Sequence, residues 1–237
     1  MEDLVVTSPL VVLFDVDGTL ITTEGRSRHS RAFRAAFEGV YGAECQFTSD
    51  MHGMTDMQIF RHLARSMDLE NGRGRELAEE ACRLMVDLYR LPDPEDGLYI
   101  ILPGVLETVE RLADVGALLG LVTGNAPEVA ADKLSSVGLD GFFTFGGYGT
   151  ESDNRGDLPP LAISRAEVMT GLTIVKERVF VIGDTPRDVA CARESGCRSV
   201  AVGTGIFGTA ELESSGADLV LPDLWDQSRL FVLLGIV

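Results

Sequence analysis

The stretch Leu10-Val-Val-Leu-Phe-Asp15-Val-Asp17-Gly-Thr-Leu20 decides the fold. An uninterrupted apolar run of strand length, closed by acidic residues and glycine, reads as a strand covered on both faces. Asp15 and Asp17 stand two apart, so on extended backbone they point to one side. Further apolar runs follow at Ala117 to Val122, Phe142 to Phe145, Val179 to Ile182, Ser199 to Val202 and Asp218 to Leu221. Helical spacings lie between them, over Val105 to Val115, Pro127 to Val137, Pro160 to Met169 and Pro186 to Ser195, with a terminal helix after the last strand. Strands alternating with helices imply a doubly wound parallel sheet in an α/β fold.

Residues 26 to 91 differ in character. Phe33, Phe37 and Val40, then Ile59, Phe60, Leu63 and Met67, then Leu77, Ala81, Leu84, Met85 and Leu88 recur at three and four. Each group marks one apolar helix face. Pro92, Pro94 and Gly97 end the stretch. The expected organisation is an α/β core, 1–22 and 98–237, with an inserted all-α cap, 23–97.

Composition narrows the function. The formal net charge of −17 opposes nucleic-acid binding, which needs a basic surface. No apolar run reaches the roughly 18 residues of a membrane span. Glu2 and Asp3 stand where a secretory signal would carry positive charge. Cys45, Cys82, Cys191 and Cys197 form no C-x-x-C pair, so reduced thiols in the cytoplasm are expected rather than a zinc site. Either a monomer or a homodimer fits.

Three strand ends carry chemistry. In open parallel sheets, ligands bind beyond the carboxyl ends of the strands. One strand here ends in Asp15 and Asp17, another in Thr123-Gly124-Asn125, a third in Gly183-Asp184 with Asp188 one turn on. Four carboxylates held close repel each other, and a divalent cation with oxygen ligands removes that cost. Mg²⁺ suits the set, and it also offsets the repulsion between a carboxylate nucleophile and a phosphate. Carboxylates are an established class of covalent nucleophile, and Asp17 is placed to serve as acid and then base. Thr123, Gly124 and Asn125 can donate hydrogen bonds to phosphoryl oxygens.

These motifs resemble the haloacid dehalogenase-like hydrolases, in the branch with a helical cap after the first strand. Asp15-Val-Asp-Gly-Thr-Leu20, Leu121-Val-Thr-Gly-Asn125 and Gly183-Asp-Thr-Pro-Arg-Asp188 stand in that family's order and span nearly the whole chain. The resemblance implies Asp15 as nucleophile and metal ligand. It implies Asp17 as acid/base and as metal ligand through its carbonyl, with Asp184 and Asp188 as metal-binding carboxylates. Two Asp in the first motif favour phosphatases over dehalogenases. Within the family the chain is similar to phosphoglycolate phosphatase-like enzymes, which implies a small phosphorylated metabolite as substrate. A phosphomutase of the β-phosphoglucomutase kind and a non-catalytic binding protein are the alternatives.

The family's phosphate-stabilising Lys has no plain counterpart. Lys133 falls mid-helix and Lys176 in a loop, so the role is assigned to Arg155, whose forked donors suit it, with Arg165 in reserve. In Met51-His-Gly-Met-Thr-Asp56, Gly53 and Thr55 are the expected substrate contacts of the cap. Arg26, Arg28, Arg31 and Arg34 read as a solvated helix face, or as a set of which one or two reach an anionic part of the substrate. Asp15-Val-Asp-Gly lacks the later ligands of a calcium loop. Gly203-Thr-Gly-Ile-Phe-Gly208 matches a dinucleotide fingerprint but falls too late in the chain for a full binding half.

Overall fold

The computed structural model describes residues 8–92 and 96–236. Glu2, Asp3, Pro94 and Val237 lie outside them. The strands are β1 (Val11–Phe14), β2 (Ile21–Glu24), β3 (Leu98–Ile101), β4 (Leu118–Thr123), β5 (Phe145–Tyr148), β6 (Val179–Gly183), β7 (Arg198–Val202) and β8 (Leu219–Leu221). The helices are α1 (Arg28–Tyr41), α2 (Asp56–Ser66), α3 (Gly74–Tyr89), α4 (Val105–Asp114), α5 (Pro127–Ser136), α6 (Leu158–Thr170), α7 (Pro186–Ser195), α8 (Thr209–Ser214) and α9 (Ser228–Leu234).

Six strands form one parallel sheet in the order β5-β4-β1-β6-β7-β8. Alternate residues of β1 serve opposite faces. Val12 and Phe14 pack with α4, α5 and α9 through Val109, Leu134 and Phe231. Val11 and Leu13 pack with α6 and α7 through Ala162 and Ala192. Two covered faces explain the continuous apolar run.

The registers position the chemistry. Phe14 pairs with Leu121 on one side and Ile182 on the other. The chain beyond those residues therefore delivers Asp15, Thr123 and Asp184 to one end of three adjacent strands.

Helices α1, α2 and α3 lie between β2 and β3 and share a second apolar core. Phe33 and Phe60 stack there at 3.8 Å between ring centroids, with Phe37, Met57, Ala81 and Met85 around them. Of the residues that the periodicity marks, Phe33, Phe37, Phe60, Leu63, Ala81 and Met85 are buried, Val40, Ile59, Leu77, Leu84 and Leu88 are half-buried, and Met67 ends up exposed beyond the last turn of α2.

Three strands differ from the sequence reading. β2 and β3 pair antiparallel where the insertion leaves and rejoins the core. Their pattern is weak because Thr22, Glu24 and Leu98 face solvent. β5 begins at Phe145 rather than Phe142, which lies in a short 3-10 turn. Gly146 and Gly147 hide it, since glycine disfavours strands. The Phe145 ring covers Gly120 of β4, where a Cβ would come within 2.4 Å of it.

Candidate active site

Asp15 is held at the tip of β1, its N–H donating to Ile182 O at 2.9 Å. Its carboxylate is buried, and Arg155 Nη2 lies 3.0 Å from Oδ1. The same Nη2 donates to Asp188 Oδ1 at 2.5 Å and to Val122 O at 3.2 Å, while Nη1 donates to Gly53 O at 3.1 Å. Arg155 thus joins two strand ends, α7 and the loop before α2.

Asp15, Asp184 and Asp188 bring carboxylate oxygens within 4.8 Å of one another. Asp188 is fully engaged: Thr185 N–H and Oγ1 donate to its Oδ2 at 3.0 and 2.7 Å, closing a capping box at the start of α7. Asp184 is tightly walled. A Cβ on Gly18 would approach its Oδ2 to 2.5 Å, and one on Gly205 to 1.7 Å. Thr204 Oγ1 donates to Gly18 O. The Gly203–Gly208 loop therefore packs on the carboxylate cluster through Gly205, which accounts for that glycine without a dinucleotide.

Burial and mutual repulsion show in the acidities. Burial pushes Asp15 up to about 6, with Asp188 and Asp17 adding to it and Arg155 opposing. Burial, then Asp15 and Asp188, push Asp184 up to about 8. One guanidinium does not offset three clustered carboxyls. Such an oxygen-rich set fits a divalent cation.

Asp17 is treated differently. Its carboxylate turns away from the cluster to Lys133 Nζ, 2.7 and 2.8 Å from the two oxygens, and to Asn125 Nδ2 at 2.8 Å. Burial works to raise its pKa, but Lys133 and Asn125 outweigh that and hold it below the ordinary carboxylate range. Asn125 also donates from Nδ2 to Thr123 Oγ1 at 2.7 Å and accepts from Lys133 at 2.8 Å. Lys133 is 2% exposed, so its ammonium is fully committed to this network.

A pocket of about 130 Å³ collects these groups: Asp15, Asp17, Thr123, Gly124, Asn125, Arg155 and Asp184 line it. From the helical insertion come His29, His52, Gly53, Met54 and Asp56. The insertion is docked on the core at that rim. Asp56 N–H donates to Gly124 O at 2.9 Å, and Arg187 donates to His52 O and Asp50 O. A Cβ on Gly124 would meet Met54 O at 2.4 Å.

Four sequence expectations need correction or completion. Lys133, set aside because it falls mid-helix, reaches the site from the buried face of α5. Arg165 lies elsewhere, paired with Glu151. Thr55 is no pocket contact: its hydroxyl accepts from Gln58 N at 3.0 Å as the cap of α2 and donates to Ser152 O at 2.8 Å. None of Arg26, Arg28, Arg31 and Arg34 lines this pocket; Arg28 pairs with Asp96 and Asp132, and Arg34 lies over the Phe47 ring. Asp56 escapes notice in the sequence, although a Thr-Asp pair opening a helix is a start signal.

The profile of the haloacid dehalogenase-like hydrolase family matches residues 12–202, which span all three strand-end motifs. The chain belongs to that family. Pyrophosphatase PpaX of Halalkalibacterium halodurans is 30% identical to this hydrolase over 91% of the chain and 94% of the relative. A phosphoglycolate phosphatase of Vibrio vulnificus is 27% identical over 90% and 92%. Among solved structures, CbbY from Rhodobacter sphaeroides in complex with phosphate superposes with a TM-score of 0.66 at 19% identity, covering 93% of this chain and 96% of that one. β-Phosphoglucomutase from Clostridium difficile gives 0.65 at 18% identity over 94% and 95%. At those identities the structures speak for a shared fold. Among the described residues, no helix is long and apolar enough to cross a membrane.

Proposed function

We propose that this hydrolase is a magnesium-dependent phosphatase of small phosphate monoesters that carries the phosphoryl group on Asp15. The observation behind this reading is a buried nucleophile candidate set among Arg155, Asp184 and Asp188, with a separately held carboxyl, Asp17, in the same pocket. Mg²⁺ held by Asp15, Asp184, the Asp17 carbonyl and the supporting Asp188 would offset their charge and that of the substrate phosphate.

Asp15 attacks phosphorus, and the bond to the ester oxygen breaks. Asp17 gives that oxygen its proton and the alcohol departs. Asp17, again a carboxylate, then takes a proton from water, which attacks phosphorus and frees Asp15 and phosphate. Lys133 and Asn125 favour the ionised form of Asp17, which suits this second step. The approach of an anionic substrate favours proton uptake for the first step. Thr123 Oγ1 accepts from Asn125 and offers its own proton to a phosphoryl oxygen, as Gly124 and Asn125 offer theirs. Arg155 orients Asp15 and Asp188 and so fills the place of the family's lysine.

Helices α1 to α3, within residues 23–97, act as a cap. The loop around Gly53 closes the pocket and excludes water. The four cysteines are free and buried, in keeping with a cytoplasmic setting. The names of the relatives make phosphoglycolate and pyrophosphate the first compounds to try. Phosphate release should be measured across a panel of phosphorylated metabolites, with Mg²⁺ and with excess EDTA. Release that Mg²⁺ supports and EDTA abolishes is expected; equal release in both sinks the metal-dependent reading. A sugar phosphate returned as its isomer, rather than as free phosphate, would mark a mutase.

A further inference from the structure

A second chamber, about 250 Å³, opens off the catalytic pocket. The two share His29, His52 and Asp56. With a phosphoryl group at Asp15, the alcohol half of an ester has this chamber beside it. Phe33, Phe47 and Met51 supply apolar wall, and Ser30 and Thr48 supply hydroxyls.

Its ionisable lining is one carboxylate, Asp56, and two imidazoles, His29 and His52. Neither Lys nor Arg is among its lining residues. Asp56 is firmly placed at the start of α2, buried, accepting from Ala126 N at 3.1 Å and held by His29 Nε2 at 3.1 Å from Oδ1. The helix N-terminus favours a negative charge there. Arginines stand behind the wall rather than in it: Arg34 lies over the Phe47 ring within a cleft that shares only Ser30 with the chamber, and Arg187 is bonded to His52 O and Asp50 O.

We infer that the alcohol released by this enzyme carries no negative charge of its own: a polyol or amino alcohol, with hydroxyl or ammonium groups for Asp56 and carbon surface for Phe33, Phe47 and Met51. The inference rests on the phosphatase reading and departs from the substrates that the relatives' names suggest. Glycolate and inorganic phosphate, the groups released from phosphoglycolate and pyrophosphate, would both bring an anion against Asp56.

The test uses the full chain with Mg²⁺ at pH 8.5, above the ordinary histidine range. kcat/KM is compared for glycerol 2-phosphate and phosphoethanolamine on one side and phosphoglycolate and pyrophosphate on the other, with p-nitrophenyl phosphate as reference. The first pair should exceed the second by about tenfold or more, since like-charge juxtaposition in a partly desolvated pocket carries at least that penalty. Asp56→Asn should narrow the gap. Thr48→Arg, at an exposed position on the chamber wall, should narrow it too and serves if Asp56→Asn fails to fold. Turnover of p-nitrophenyl phosphate with phosphoglycolate or pyrophosphate preferred to both uncharged and cationic esters overturns the inference alone. No release from any compound overturns the phosphatase reading and the inference with it.

Discussion

The ammonium of Lys133, projecting from the middle of α5, lies 2.7 and 2.8 Å from the two carboxylate oxygens of Asp17 at the end of β1. That contact, with Asn125 beside it, keeps Asp17 apart from the Asp15, Asp184 and Asp188 cluster. Lys133→Met keeps the length of the side chain and removes the charge. It should lower kcat by about 10²-fold, the scale of a mispositioned acid/base group. It should also move the acid limb of the pH profile upward, because burial then acts on Asp17 without its main opponent. A variant with unchanged profile and unchanged kcat would leave Lys133 a packing residue.

Arg155 and Arg165 offer a direct contrast. Arg155→Ala leaves buried Asp188 and Asp15 without their shared cation. The expected cost is roughly 3–5 kcal/mol of stability, together with a loss of activity by orders of magnitude. Arg165 makes a half-exposed pair with Glu151, so Arg165→Ala should cost under about 1 kcal/mol and leave turnover nearly intact. Thermal melts and steady-state rates of both variants check this. The opposite ranking would show that the wrong arginine carries the role.

Gly205 bears on the carboxylate cluster through space alone. A Cβ there would come within 1.7 Å of Asp184 Oδ2, whereas nothing lies within 4 Å of one at Gly208. Gly205→Ala should displace Asp184 and weaken Mg²⁺-dependent activity at least about tenfold. Gly208→Ala should behave as wild type. Titration of rate against Mg²⁺ concentration distinguishes them.

The pKa values of Asp15, about 6, and Asp184, about 8, both lie above the ordinary 3.8. Each carboxyl therefore binds its proton more tightly in the folded than in the unfolded chain. Without a cation, their contribution to stability is complete below about pH 4. It is lost as pH rises through 6 and 8. A divalent cation needs the ionised forms, so the melting temperature gained on adding Mg²⁺ should be larger at pH 8 than at pH 5.5. Asp184→Asn should melt higher than wild type in EDTA at pH 8 and respond little to Mg²⁺. Equal gains at both pH values would count against a cation among these carboxyls.

Much of this was legible in the chain because buried strands announce themselves. Leu10 to Phe14 and Val179 to Ile182 are apolar throughout since both faces of the sheet are covered, and the polar residues after them mark the ligand-binding end. Lys133 was hidden by a rule of thumb about helices, yet its position carries a signal. Val129, Ala130 and Leu134 are buried on α5, and Lys133 falls on that same stripe. A lone lysine on an apolar stripe needs a buried anion. The cap arginines could not be resolved from spacing. The partners of Arg28 lie 68 and 104 residues away in Asp96 and Asp132, a matter of tertiary packing. Thr55 was misread because the hydroxyl that caps a helix and one that meets a substrate look alike until their partners are known.

The central claim is that Asp15 forms the bond to phosphorus. Borohydride added during turnover reduces an aspartyl phosphate to homoserine, and peptide mapping then locates the altered residue. Homoserine at position 15 in the wild-type chain, dependent on substrate and Mg²⁺ and lost in an inactive Asp15→Asn variant, is the predicted result. Full activity in Asp15→Asn, or a modified residue anywhere else, would contradict it.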